Sequence, residues 1–199
     1  TNKDLEEMVD TSDDWIKSRT GVEKRHIASD DQSTSDLAYE AAKIAISNSS
    51  TNLDEIDLII VGTCTPDLVF PNTATLVQEK LGIGGCPAFS LETACSGFIY
   101  AAAVADKFIK LGEAKCALVI GADCLSRLLD WTDRSTCVLF GDGAGACVLS
   151  REEDTSKGIL STHLHSQGKY AEKLIVESPS IRHWIPEIME AGEDDTSYF

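Results

Sequence analysis

Thirteen consecutive residues, Thr93 to Ala105, carry no charge, and they fall where a short apolar run gives way to helical spacing. Crossing a bilayer takes about 20 apolar residues, so the stretch is not a membrane span. Ser96 to Leu111 reads as a helix stopped by Gly112, with Lys107 and Lys110 in its last turn. Its first ten residues, SGFIYAAAVA, are uncharged all round, and such a helix is expected to be buried, not amphipathic.

The rest of the pattern fits an α/β fold. Strand-like apolar runs occur at Ile56 to Val61, Pro87 to Leu91, Ala117 to Gly121, Thr136 to Phe140, Ala146 to Leu149 and Gly158 to Leu164. Between them lie helical patterns: Asp4 to Ile16, with a second start at TSDD before Trp15; Ser33 to Ser47 behind a Ser/Thr/Asp cap; and Asn72 to Leu81, ended by Gly82, Gly84 and Gly85. Apolar strands separated by helices predict a layered α/β sandwich, its largely parallel or mixed sheet covered on both faces. The final stretch, 166–199, changes character: it holds two prolines, a tryptophan and the acidic EAGEDD, and reads as an insertion or connecting segment.

Composition narrows the function classes. The net charge of −16, from 33 acids against 17 bases, argues against nucleic acid or anionic lipid as a partner. The opening TNKDLEEMVD has neither the basic start nor the apolar run of a secretory signal, and its abrupt polar start reads as that of an incomplete chain. Seven cysteines, at 64, 86, 95, 116, 124, 137 and 147, are never closer than eight positions apart. That spacing suits neither a zinc knuckle nor a disulfide framework, so no metal is expected and reduced thiols in a cytosol-like compartment are.

One cysteine stands apart. ETACSGF, residues 92–98, places Cys95 between small residues at a strand-to-helix turn. Unpaired N–H groups and the positive dipole at a helix N-terminus favour a thiolate, and Ala94, Ser96 and Gly97 leave room for a substrate. Cys95 is thus either a nucleophile presented on an elbow or a small buried core residue. The other cysteines lie within or at the ends of strand-like runs and read as core. GDGAG, residues 141–145, lacks the ending of a phosphate loop and reads as a tight turn between strands near the site. His163 and His165, two apart, would share one side of a strand and read as structural, while His26 and His183 have no apolar context.

Several ordered segments together resemble one family. They are DTSDDWIKSRTGVEKRHIA at 10–28, TPDLVFPNTA at 65–74, LGIGGCPAFSLETACSGFIYA at 81–101 and DWTDRSTCVLFGDGAGACVLS at 130–150. The chain resembles β-ketoacyl-ACP synthase III, a thiolase-fold condensing enzyme, over about residues 1–170. The resemblance implies a thiolase-like layered sandwich, of which residues 1–165 form an N-terminal half with its first strand missing. It implies acyl transfer, typically acetyl from acetyl-CoA, to the active cysteine, followed by decarboxylative Claisen condensation with malonyl-acyl carrier protein to give 3-oxoacyl-ACP at the start of type II fatty acid synthesis. Coenzyme A and acyl carrier protein enter as parts of substrates, with no cofactor, and the enzyme acts as a homodimer in the cytoplasm or, in a photosynthetic eukaryote, the plastid stroma.

Site residues carry over by position. Cys95 matches the acyl-accepting cysteine, and its backbone N–H would serve as an oxyanion donor. Trp15 and Arg134 match the residues that sandwich the CoA adenine, Thr11 a hydroxyl contact to the base, and Arg19 a cation near the CoA phosphates or the carrier protein. Phe70 matches an aromatic that reaches across the dimer, and Phe140 another position lining the acyl pocket. Without the resemblance, Trp15 reads as an anchor of its helix, Arg19 and Arg134 as solvated ion pairs, and both phenylalanines as core. Lys24 and Arg25, with Arg19, form a local cationic spot for an acidic carrier protein.

The resemblance also implies residues that are not here. The family's histidine and asparagine lie in a second half, and neither an HQxN nor a GNTSA-like stretch occurs among these 199 residues. The expectation is a partial sequence that can carry the Cys95 chemistry but not the condensation, with 166–199 leading toward an absent second half. The competing readings are a thiolase-fold acyltransferase of secondary metabolism and a non-catalytic half that only dimerises.

Overall fold

The computed structural model describes residues 1–154 and 156–176. The chain divides into two compact units, Thr1–Leu164 and His165–Phe199. Within the second, the described residues contain one 3₁₀ helix, Gly168–Lys173. The remainder of the expected connecting segment, residues 177–199 including His183, lies outside the described residues.

The first unit is built on a mixed sheet of four strands in the order β2-β1-β3-β4. Strand β1 (Leu58–Gly62) is parallel to β2 (Ala88–Leu91) on one side and to β3 (Cys116–Cys124) on the other. Strand β4 (Asp142–Ser150) runs antiparallel to β3. Parallel neighbours require crossovers. Helix α4 (Thr73–Leu81) carries the chain from β1 to β2, and α5 (Gly97–Leu111) from β2 to β3.

Every residue of β1 is buried, because both faces of the strand are covered. Ile59 and Val61 meet Leu118, Ile120, Ala74 and Val77 of α4, and Ala38 and Ala42 of α3 (Thr34–Ser47). Leu58 and Ile60 meet Ala117, Val119, and Ala101 and Ala105 of α5. Each buried Ile, Leu or Val side chain contributes about 1.5–3 kcal/mol on burial, which makes the layering of helix, sheet and helix the main source of stability. On the outer layer, the Asp36 carboxylate accepts the Ser33 backbone N–H at 2.9 Å and so caps α3. Lys80 of α4 reaches the same carboxylate at 2.6 Å, and its ammonium, with the Ser33 hydroxyl and N–H, holds the pKa down at about 2.

A third cluster gathers Leu5 of α1 (Asn2–Glu6), Ile16 of α2 (Asp13–Thr20), Cys137 of α6 (Arg134–Cys137) and Val138. The N-terminal helical pattern is two helices and not one, since Ser12 accepts the Trp15 N–H at 3.2 Å and starts α2 afresh. That helix continues to Thr20, four residues past the expected end at Ile16.

Three expectations are corrected. The run Thr136 to Phe140 is not a strand: Asp133 accepts the Ser135 N–H at 2.9 Å and caps α6, turning Cys137 and Val138 into the third cluster. Residues 158–164 form no strand either, and Leu160 is exposed. Helix α5 is not buried all round, for the sheet covers one side of it while Phe98 and Ile99 are 40% and 58% exposed.

Among the glycines, the closest approach of backbone to backbone is where β1 ends at Gly62 and α5 begins at Gly97. A Cβ at Gly62 would lie 2.4 Å from the Gly97 carbonyl carbon, whereas one at Gly97 would lie no closer than 3.2 Å to Gly62. Gly62→Ala is expected to destabilise the chain by about 3 kcal/mol through overpacking. Gly97→Ala should cost far less, being offset by alanine's helix preference of about 1 kcal/mol. Urea unfolding midpoints of the two variants test this, and equal losses would contradict it.

Candidate active site

The strand order changes direction between β1 and β3: α4 carries the chain from β1 to β2 over one face of the sheet, and α5 carries it from β2 past β1 to β3 over the other. In open α/β sheets such a reversal opens a crevice beyond the carboxyl ends of the strands. Here a cavity of about 370 Å³ lies beside the carboxyl ends of β1 and β3 and the start of β4, lined among others by Gly62, Cys95, Phe98, Asp123, Gly141 and Gly143.

Cys95 enters this cavity from the link between β2 and α5, a 3₁₀ turn at Ala94–Ser96. Ala94 has φ +46°, a left-handed conformation that costs a non-glycine residue about 1–3 kcal/mol and is held by the packing around it. Two elements fix that turn: β2, paired with β1 through Leu91 and Gly62, and α5, whose first residue lies on Gly62. The resulting elbow leaves Cys95 exposed, while Cys116, Cys124 and Cys137 are buried. The reading of Cys95 as a packed core thiol is therefore set aside.

Across the cavity, Asp123 organises the loop that follows β1. One carboxylate oxygen accepts from Cys64 N at 2.8 Å, Thr63 Oγ1 at 3.0 Å, Thr65 Oγ1 at 3.2 Å and Cys64 Sγ at 3.3 Å. Burial, with the Asp123 charge beside it, pushes the Cys64 thiol up to about 12. Two cysteines near one site thus have opposite characters, Cys95 open and Cys64 locked in its neutral form.

A second group of candidate residues gathers on α2 and α6. The Arg134 guanidinium carbon sits 4.1 Å from the centre of the Trp15 ring, and that of Arg19 5.5 Å from it. Arg134 Nε and Thr11 Oγ1 are buried without a hydrogen-bond partner. Each unsatisfied buried polar atom costs about 1–3 kcal/mol.

The structure brings Thr11, Trp15, Arg19 and Arg134 into one neighbourhood and puts Cys95 in the cavity. Phe70 is 82% exposed, in a loop with the exposed Leu68 and Val69, and is not core. Phe140 is half-buried beside Gly141, which lines the cavity while Phe140 does not. GDGAG is not a turn: from Asp142 on it is the start of β4, although its glycines do line the cavity. Arg25 leaves the expected cationic surface, because its Nη2 donates inward to Asn2 Oδ1 and the Val138 carbonyl, each at 2.9 Å. Arg19 and Lys24 stay exposed. His163 and His165 are exposed and share no strand. Asp123 was not singled out from sequence, and its signal was a single acid closing the otherwise apolar CALVIGAD.

Comparison with known proteins agrees with this fold. Residues 89–168 match the family model described as 3-oxoacyl-[acyl-carrier-protein (ACP)] synthase III. The β-ketoacyl-[acyl-carrier-protein] synthase III of Xanthomonas campestris pv. campestris is 61% identical over 174 residues, 87% of this chain and 53% of that protein. The crystal structure of the Thermus thermophilus synthase III superposes with a TM-score of 0.85 at 41% identity, covering 90% of this chain and 56% of that one. The corresponding structure from Aquifex aeolicus VF5 gives 0.75 at 55% identity, over 78% and 50%. The chain spans about half the length of the curated relatives it matches.

The contrast between the two thiols is directly measurable. Iodoacetamide at neutral pH is expected to alkylate Cys95 and spare Cys64, read by peptide mass spectrometry. Equal labelling of both would show that burial and Asp123 do not protect the Cys64 thiol.

Proposed function

Because the chain belongs to the β-ketoacyl-[acyl-carrier-protein] synthase III family, we propose that its residues carry the acyl-transfer half of a decarboxylative condensation. The observation that carries this reading is the exposed Cys95 on a strained elbow beside the carboxyl ends of β1 and β3. In the first step the Cys95 sulfur attacks the thioester carbonyl of an acyl-CoA, acetyl-CoA being the expected donor. The tetrahedral oxyanion is held by the Cys95 backbone N–H, then collapses and expels CoA as its thiol. Thioester exchange between two sulfurs is nearly balanced, so the acyl-enzyme keeps its reactivity.

In the second step malonyl-acyl carrier protein loses CO₂, and the resulting carbanion attacks the acyl-enzyme. A new carbon–carbon bond forms, the bond to the Cys95 sulfur breaks, and 3-oxoacyl-acyl carrier protein leaves. The resemblance assigns the decarboxylation to a histidine and an asparagine outside these 199 residues. What this chain supplies is the nucleophile and the donor site.

We assign the CoA adenine to the faces of Trp15 and Arg134, with Thr11 bonding the base and Arg19 near the phosphates. The unpartnered Thr11 Oγ1 and Arg134 Nε support that assignment. Phe140 is assigned to the acyl pocket through its neighbour Gly141. The exposed apolar tip Leu68, Val69 and Phe70 is assigned to a homodimer contact. Arg19 and Lys24 offer cations to the acidic carrier protein. The reaction needs no cofactor or metal beyond its thioester substrates, and it belongs in a reducing cytoplasm, in keeping with seven free cysteines.

Radiolabelled acetyl-CoA is expected to leave a covalent acetyl group that Cys95→Ser abolishes. Trp15→Ala should raise the acetyl-CoA concentration for half-maximal labelling about tenfold, since stacking on a base is worth about 1–3 kcal/mol. Absence of any adduct on Cys95 would refute the reading.

A further inference from the structure

We propose that Asp142 is a positioning residue that holds the Cys95 cavity and the Trp15–Arg134 site in register. This rests on the reading of those two places as acyl acceptor and nucleotide site. Asp142 is the first residue of β4, between Gly141 and Gly143, both of which line the Cys95 cavity. Its carboxylate accepts from two other segments at once. Oδ2 takes the Ala28 N–H at 2.7 Å and the Ser126 hydroxyl at 2.6 Å, and Oδ1 takes the Ser126 N–H at 2.8 Å. Its own N–H donates to the His26 carbonyl at 2.8 Å.

From these anchors two routes lead to the nucleotide site. Through Ser126, whose carbonyl accepts Trp131 Nε1 at 3.1 Å, the bond reaches an indole packed in the same cluster as Trp15. Through residues 26–28, it fixes the segment that begins at Arg25. The Arg25 guanidinium bonds Asn2, and the Asn2 amide donates to Asp13 of α2 at 2.8 Å, two residues before Trp15. The contact is also steric, since a Cβ at Gly141 would lie 2.9 Å from both Arg25 Cβ and the His26 carbonyl oxygen. One carboxylate thus clasps the segment that follows α2, the turn after β3, and the strand forming the cavity wall.

Such a clasp matters for a donor held at two points. A misplacement of about 1 Å between bound donor and nucleophile costs on the order of 10²-fold in rate, but only where binding delivers the reacting carbon. A short thioester with no nucleotide gains nothing from the register and loses nothing with it. Asparagine at this position keeps one acceptor and turns an NH₂ toward the donors that the second oxygen now serves, so the clasp opens while the charge is removed.

The test measures second-order acylation of Cys95 in the full chain by acetyl-CoA and by S-acetyl-N-acetylcysteamine, for the parent protein, Asp142→Asn and Ser126→Ala. Asp142→Asn is expected to slow acetyl-CoA about tenfold or more, while the short thioester changes less than about twofold. Ser126→Ala, which deletes one of the three bonds, should move the same ratio in the same direction by about threefold, and it decides the matter if Asp142→Asn does not fold. Equal losses with both donors, or no loss with either, overturn the proposal, because a purely structural role lowers both rates alike. A parent chain acylated by the short thioester but not preferentially by acetyl-CoA refutes the nucleotide site instead, and takes this inference down with it.

Discussion

The close approach of Gly62 to Gly97 is the constraint on which the rest of the unit depends. Two backbones meet with no side chain between them, so the helix that follows the nucleophile starts directly on the end of the central strand. That proximity leaves only a short 3₁₀ turn to connect β2 with α5, and Ala94 absorbs the bend with a positive φ. The exposure of Cys95 is therefore the end of a chain of geometry that begins in the core. Buried on both faces, β1 cannot shift to relieve it.

Around that frame the polar organisation falls to carboxylates that each serve several segments. Asp36 ties α3 to α4, Asp123 gathers the loop after β1, and Asp142 joins β4 to the turn after β3 and to residues 26–28. Bonds to a charged acceptor are stronger than neutral ones, which is why single residues suffice to hold loops whose backbones have no sheet to join. In a chain of net charge −16, these acids act through local hydrogen bonds and not through the overall field.

Much of this was legible in the sequence where one physical signal dominated. Caps and left-handed stops placed α3, α4 and α5, and unbroken apolar runs placed β1 and β2. The strand-to-helix turn at Cys95 was legible from its small neighbours, but whether the thiol is presented or packed was decided by its exposure. What stayed hidden depended on tertiary partners. A short apolar run such as Thr136 to Phe140 suits a strand or a buried helix equally, and the Asp133 cap decided between them. The exposure of Phe98 and Ile99 follows from α5 meeting a sheet on one side, which no local pattern records. Arg25 read as a surface cation because its acceptors, Asn2 and the Val138 carbonyl, are far off in sequence. Asp142, inside a glycine-rich motif, looked like part of a turn until its three bonding partners were in place.

The stacking of Arg134 on Trp15 has a consequence for affinity. At 4.1 Å the guanidinium covers one face of the indole, and if the proposed adenine enters between the two side chains, that is the face it must take. The protein's own side chain is then a competitor tethered at its binding site, and an incoming base must displace it before the two can close on opposite sides of the ring system. Binding draws on the fraction of molecules in which the pair has parted, and the observed dissociation constant is the intrinsic one divided by that fraction. The same pairing shields a large aromatic face from water in the meantime. Ligand-free and loaded proteins would accordingly differ in where one guanidinium spends its contact, more than in any rearrangement of the sheet.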